Sequence, residues 1–317
     1  MKIIYLGSGE FGLECLNALA CSSHRLQFIL TQPPHPAGRG RKPTPTPVAH
    51  WADSSSIPFI EIDDVNSPPT IEKIADYQPD LIVVIAFGQK IGNELIKLPP
   101  KGSINVHASL LPKYRGAAPI NWAIINGEKQ TGISIIALAE IMDAGNILAQ
   151  SKTDIGADET AGRLHDRLAQ IAAPLLLKTI DDIADGTAVY TGQEHSRATL
   201  APKLKKSDGF LDFNEPAELL QRKMRGFWPW PGASAMYLSK KTEKSLRVTI
   251  AMAEVVETSN PAHLPSGTLD ESLNVICGQR ALKITKIKPT GSHLMQFKDF
   301  VNGQHTQPGD LFMKIET

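Results

Sequence analysis

Asn105 and His107 stand two positions apart at the end of the apolar run SINVHASLLP (103–112). At i, i+2 spacing on a strand, their side chains leave the same face. The carboxyl end of a parallel strand is where open α/β sheets place their ligand crevice. An amide and an imidazole side by side there can donate hydrogen bonds to an oxyanion and exchange protons near neutrality. A third polar group, Asp143, precedes Ala144 and Gly145 in ALAEIMDAGNIL (137–148). Taken alone, a carboxylate beside a glycine turn reads as a loop cap.

GSGEFG (7–12) offers a different chemistry, matching G-x-G-x-x-G between a strand and a helix. Gly7, Gly9 and Gly12 would then hold a pyrophosphate against helix N–H groups, as in a nicotinamide-dependent oxidoreductase. Such a site also needs an acidic residue ~20 positions beyond the fingerprint. Here the second strand ends at Thr31 and Gln32, with no carboxylate before Asp53. A tight strand-to-helix turn accounts for the glycines equally well. None of the nine His forms a ligand-spaced cluster with Cys or carboxylates, so no metal is expected. Cys15, Cys21 and Cys277 make neither a zinc knuckle nor a disulfide framework, which fits a reducing cytoplasm.

The elements that must position these residues alternate between strand and helix. KIIYLG (2–7), LQFILT (26–31), PFIEI (58–62), DLIVVIAF (80–87), SINVHASLLP and TGISIIAL (131–138) read as strands. LIVVIA lacks alternation, as a strand buried on both faces should. FGLECLNALA (11–20), VAHWADSS and residues 69–76 read as helices, and residues 32–47 as a Pro/Gly/Arg-rich loop. The pattern predicts a doubly wound, mostly parallel α/β domain, Rossmann-like, over residues 1–186, closed by a long helix at 158–186. Residues 187–206 have no sustained period and read as a linker. A helix at 217–227 and short apolar runs broken by Gly, Pro and Asn then predict a small C-terminal β-barrel over 207–317.

At 317 residues, with 33 basic and 33 acidic side chains and 42% hydrophobic residues, the composition excludes a disordered tail, a collagen-like fibre and a strongly basic packaging protein. No apolar run approaches the ~18–20 residues that span a bilayer, and no membrane partner is expected. Charge is uneven, however. Residues 1–200 carry 17 basic and 21 acidic side chains, residues 201–317 carry 16 and 12. The second half is therefore the one suited to a polyanion.

Taken together, NVHASLLPKYRGAAPINWAI, TGISI and DAGNIL resemble the folate-dependent formyltransferase family. The resemblance implies 10-formyltetrahydrofolate as formyl donor and a catalytic set of Asn105, His107 and Asp143. It also implies folate contacts from Ser109, Leu110, Leu111 and Pro112, and a pteridine pocket lined by Ala86, Phe87, Gly88 and Gln89. His107 would give the formyl oxygen a second hydrogen bond beside that of Asn105.

Three features resemble the branch of the family that acts on aminoacylated initiator tRNA. The loop TQPPHPAGRGRKPTPTPV (31–48) carries Arg39, Arg41 and Lys42 on proline-bracketed backbone suited to phosphate contacts. A β module follows the catalytic half, in that branch an oligonucleotide-binding (OB-like) barrel. APKLKKSDGFLDF (201–213) adds Lys203, Lys205 and Lys206, and MRGFWPWPGA (224–233) resembles the entry to that module. IMDAGNILAQ and NWAIINGE instead resemble formyltransferases of amino-sugar nucleotides, an alternative that stays open. A non-catalytic RNA-binding protein would leave the Asn–His–Asp set without a purpose. No obligate protein partner is implied.

Overall fold

The computed structural model describes residues 1–37, 40, 42–258 and 264–316. Its contacts divide the chain into two units. The first comprises Met1–Pro119, Gln130–Asp154 and His165–Pro202, and the second Ile120–Lys129, Ile155–Leu164 and Lys203–Thr317.

In the first unit, β1 (Lys2–Gly7), α1 (Leu13–Ala20), β2 (Arg25–Thr31), β3 (His35–Ala37), β4 (Lys42–Thr44), α2 (Pro47–Ser54), β5 (Phe59–Glu61), α3 (Pro68–Asp76), β6 (Leu81–Ile85), α4 (Asn93–Lys97) and β7 (Ser103–His107) follow in turn. After α5 (Pro119–Ile125), which from Ile120 on belongs to the second unit, come β8 (Gln130–Ala137), β9 (Ile147–Asp154) and α6 (Ala161–Ala184). Seven strands form one sheet in the order β5-β2-β1-β6-β7-β8-β9. The first five in that order run parallel, and β7–β8 and β8–β9 are antiparallel. This is the mostly parallel, Rossmann-like architecture that the strand–helix alternation predicts. All five residues of β6 are buried, which explains why LIVVI does not alternate. In α6, Leu168, Ala172, Leu176 and Ile180 recur every four residues and are buried, the stripe that holds a long helix down.

Chain order changes direction across the sheet between β1 and β6, so their carboxyl ends make the switch-point crevice of an open α/β sheet. Ser8 spans it, donating its N–H to the Ala86 carbonyl (3.3 Å) and its hydroxyl to the Phe87 carbonyl (3.3 Å). The glycines of GSGEFG serve the protein's own interior. A Cβ on Gly12 would stand 1.8 Å from the Tyr5 hydroxyl oxygen, and one on Gly7 2.5 Å from the Tyr5 ring. Close packing against a fully buried tyrosine therefore accounts for Gly7 and Gly12 without a bound pyrophosphate.

Two expectations change. Within the loop expected at 32–47, β3 pairs antiparallel with β4, with Pro36 opposite Pro43. A two-stranded ribbon tolerates such prolines because each strand has an open edge. The aperiodic stretch expected as a linker is, up to Pro202, part of the first unit. Thr191 and Ile147 exchange backbone hydrogen bonds (2.8 and 2.9 Å), Arg115 N–H donates to the Thr199 carbonyl (2.8 Å), and Ala201 N–H returns to the Arg115 carbonyl (2.7 Å). Single bridges of this kind leave no periodic signature.

The second unit is a barrel-like antiparallel sheet. α7 (Ala217–Phe227) leads into β10 (Ser234–Leu238), β11 (Ser245–Val256), β12 (Val275–Ile276), β13 (Ala281–Pro289), β14 (Met295–Gln296), α8 (Phe297–Gln304) and β15 (Leu311–Met313). The sheet runs β12-β13-β11-β10-β15, with β14 on β13. Bridges Leu269↔Val275 and Thr268↔Leu311 join its two edges through one short segment, nearly closing it. The core holds Leu220, Met224, Tyr237, Ile250, Ile284 and Phe312. Asp310 is fully buried beneath it and accepts from the Tyr237 hydroxyl (2.6 Å) and the N–H groups of Lys240 (2.8 Å) and Gln307 (3.0 Å). Burial, together with the Asp310 bond, pushes the Tyr237 hydroxyl up to about 12.

Candidate active site

β6 and β7 run side by side with Val84 opposite Asn105, so Ala86 and His107 end neighbouring strands on the same edge of the sheet. Asn105 is half-buried, and among the described residues its side-chain amide has no hydrogen-bond partner. His107 is buried, its side chain 6% exposed. Its Nε2 lies 2.8 Å from the Tyr114 carbonyl oxygen. A carbonyl can only accept, so Nε2 carries the proton and donates it there. The other ring nitrogen, Nδ1, faces Asp143 Oδ2 at 3.6 Å. Nε2–H is thus spent on Tyr114, and the hydrogen bond that the resemblance implies from His107 to the formyl oxygen would have to come from Nδ1. What His107 offers to chemistry is Nδ1.

Asp143 lies in the turn between β8 and β9, with its side chain 11% exposed. Its φ is 54°, in the left-handed region that costs a non-glycine residue ~1–3 kcal/mol and persists only where the surroundings over-determine it. They do so here. Gly116 N–H donates to Oδ2 (2.8 Å), the Gln193 amide donates to the backbone carbonyls of Asp143 (2.8 Å) and Gly145 (2.7 Å), and Asn146 O accepts from Ala137 N–H (2.9 Å). Gly145 is required at its position, since a Cβ would come within 1.8 Å of the Ala137 carbonyl oxygen. Three polar side chains, Asn105, His107 and Asp143, thus gather at one strand end, as their sequence pattern predicts for the first two.

The surrounding residues divide into those that present atoms and those that build walls. Ser109 is fully buried and its hydroxyl donates to the Lys113 carbonyl (2.7 Å). Leu111 is buried too, and its N–H donates to Ser134 Oγ (3.0 Å), which donates to the Ser109 carbonyl (2.6 Å). Gln150 Nε2 donates to the Leu111 carbonyl (3.0 Å) and to Ser134 Oγ (2.8 Å). The Leu111–Pro112 bond is cis. Only Leu110 and Pro112 of this stretch are partly exposed. At the end of β6, Phe87 sits in the core with Ile4, Phe28 and Val84, and Gln89 spends its amide on Val65 N–H (2.9 Å) and the Asp63 carbonyl (3.1 Å). Ala86 and Gly88 are the exposed members of that segment.

Sequence reading did not single out Tyr114, Arg115, Gly116 or Gln193. The first three lie in the run KYRGAAP, whose density of special residues was the available signal. Gln193 gave none. Of the basic residues, Lys42 on β4 and Lys203, Lys205 and Lys206 are exposed, whereas Arg39 and Arg41 lie outside the described residues. In the tryptophan–proline cluster Phe227 is buried and Trp230 is 57% exposed. Among the described residues no group of three His, Cys, Asp or Glu is placed to hold a metal, and no helix is long and apolar enough to cross a membrane.

Comparison with known proteins gives two family matches, formyl transferase over residues 1–180 and formyl transferase, C-terminal domain, over residues 203–305. The methionyl-tRNA formyltransferase of Citrifermentans bemidjiense is 40% identical over 314 residues, covering 99% of this chain and 97% of the relative. That of Alkaliphilus oremlandii is 39% identical, covering 98% and 99%. Among solved structures, the N-formyltransferase of Helicobacter canadensis shares the fold at TM-score 0.62 and 14% identity, over 93% of this chain and 99% of that one. HypX of Aquifex aeolicus matches at TM-score 0.59 and 17% identity, over 95% of this chain and 47% of that one.

Proposed function

The chain belongs to the formyl transferase family, and from that premise we propose that it transfers a formyl group from 10-formyltetrahydrofolate to the free α-amino group of methionyl-tRNA. The products are N-formylmethionyl-tRNA and tetrahydrofolate, and the acceptor is the charged initiator. Relatives bearing this activity in their names match end to end at 39% and 40% identity, whereas an N-formyltransferase of the same fold, solved with an amino-sugar nucleotide, matches at 14%. The observation that carries the chemistry is the Asn105 amide, without a hydrogen-bond partner among the described residues, beside the His107–Asp143 pair.

The site fits the donor. Leu110 and Pro112 offer partly exposed apolar surface, and Ala86 and Gly88 leave room for a flat ring beside them. Ser109, Leu111, Phe87 and Gln89 build that wall from behind. When bound, 10-formyltetrahydrofolate supplies the formyl carbon and, at N10, the atom that ends the reaction protonated. Asn105 donates its amide N–H to the formyl oxygen as charge develops there. His107, its Nε2–H committed to Tyr114, takes the proton of the attacking amine at Nδ1 and gives it up to N10 as the bond from the formyl carbon to N10 breaks. Asp143 compensates the charge that the imidazole acquires.

RNA binding falls to the exposed cations Lys42, Lys203, Lys205 and Lys206, together with Arg39 and Arg41, which neighbour Lys42 in sequence and lie outside the described residues. In this reading residues 1–186 do the chemistry and the barrel from residue 207 holds the RNA backbone. The reaction precedes initiation, which places the protein in the cytoplasm. A formyl-transfer assay with 10-formyltetrahydrofolate, run on charged initiator methionyl-tRNA beside a 4-amino sugar nucleotide, tests the assignment. Transfer to the tRNA alone is expected, and transfer to the sugar alone would reassign the acceptor.

A further inference from the structure

The segment that carries no period in the sequence ends one of its side chains against the catalytic turn, and we infer that Gln193 is a positioning residue for Asp143, with Arg115 fixing the direction of its amide. The inference rests on the reading of Asp143 as catalytic. Gln193 is buried, and its amide is fully committed. Nε2 donates to the carbonyls of Asp143 (2.8 Å) and Gly145 (2.7 Å), one on each side of Ala144. Oε1 accepts from Arg115 Nη2 (2.6 Å) and Nε (3.2 Å). Rotating the amide by half a turn would set Nε2 against a guanidinium and Oε1 against two carbonyls, so one orientation alone is satisfied.

The contacts close a ring. Gly116, the residue after Arg115, donates its N–H to Asp143 Oδ2 (2.8 Å). One short stretch of chain therefore holds the carboxylate directly and, through Gln193, holds the backbone that presents it. Arg115 is itself braced by Nη2 on His195 Nδ1 (3.0 Å), two residues beyond Gln193. The turn has left-handed backbone at Asp143, a conformation that needs such support. Without the clamp the main chain would relax while the strands on either side stayed paired. Misplacement of a reacting group by an ångström is enough to slow a reaction ~10²-fold.

Gln193→Glu is the informative substitution. It keeps length, shape and the Arg115 partner, but offers two carbonyl oxygens a carboxylate instead of N–H groups. Gln193→Glu is expected to lower kcat by about 10- to 100-fold with the KM for 10-formyltetrahydrofolate moving less than about twofold. In an Asp143→Ala background the same substitution should change kcat by less than about twofold, because nothing remains to be positioned. Equal losses in both backgrounds would overturn the positioning role and leave the reading of Asp143 intact. An Asp143→Ala enzyme with unimpaired kcat would instead overturn that reading. Should Gln193→Glu lose its cooperative thermal transition, Arg115→Lys carries the test from the other end of the ring. It keeps the charge but not the two-nitrogen fork, and its expected loss of about tenfold should likewise vanish in the Asp143→Ala background. A loss that persists there overturns the role.

Discussion

Asp143 carries two burdens, a charge facing His107 Nδ1 at 3.6 Å and an acceptor for Gly116 N–H at 2.8 Å. Asp143→Asn separates them, since the amide oxygen can keep the Gly116 bond while the charge is lost. Steady-state kinetics should then show kcat reduced by ~10²-fold or more, the scale of the general-base catalysis that the charge supports at His107, with folate KM little changed. Comparable changes in both would make Asp143 a binding residue. At the other end of the ring system, His107 is held in one tautomer by a main-chain carbonyl rather than by a carboxylate. That choice leaves Nδ1, the nitrogen nearer Asp143, as its basic atom.

At the scale of elements, the β3–β4 hairpin places Lys42 on exposed backbone beside Arg39 and Arg41 in sequence. Neutralising all three should raise the tRNA KM and flatten the dependence of log affinity on log salt by roughly one unit for each phosphate no longer held. An unchanged slope removes the hairpin from the RNA interface. Strand β7 was legible in sequence because its information is local. Parity alone puts Asn105 and His107 on one face, and the buried run before them marks the strand. Helices α4 and α5 were not read, being five and seven residues long, too short for a periodic signal to stand out, and α8 was hidden by a glycine inside its eight residues. Strand β9 was hidden by its composition, ILAQSKTD, whose burial alternates from half-buried to exposed as befits a strand at the sheet edge. Gln193 was illegible for a deeper reason. Its role depends on which carbonyls lie opposite it in space, and nothing in the aperiodic stretch around it encodes that.

At the scale of the whole molecule, two stabilities are open to measurement. Asp310 is the polar keystone of the barrel, and Asp310→Ala leaves the Lys240 and Gln307 N–H groups without their acceptor, while the Tyr237 hydroxyl keeps Thr306 Oγ1 (3.0 Å). Each orphaned group costs ~1–3 kcal/mol, so urea unfolding should reveal a loss of roughly 2–5 kcal/mol, whereas a change under about 0.5 kcal/mol would contradict the assignment. Alkaline pH should weaken the fold by a separate route. Burial pushes the Cys15 and Cys277 thiols and the Tyr237 hydroxyl up to about 12, so the folded chain keeps protons that the unfolded chain releases. Their stabilisation is whole below pH ~9 and declines as pH rises from ~9 toward 12, so the urea midpoint should fall across that window and stay level just below it. The central claim, however, is catalytic: a lone amide at the end of β7 stabilises charge on the formyl oxygen. Single-turnover formyl transfer by Asn105→Asp, which preserves shape but lacks the N–H, tests it most directly. A chemical step slowed by ~10²–10³-fold, with 10-formyltetrahydrofolate still bound at near wild-type affinity, is the predicted result. A step as fast as that of the wild type would contradict it.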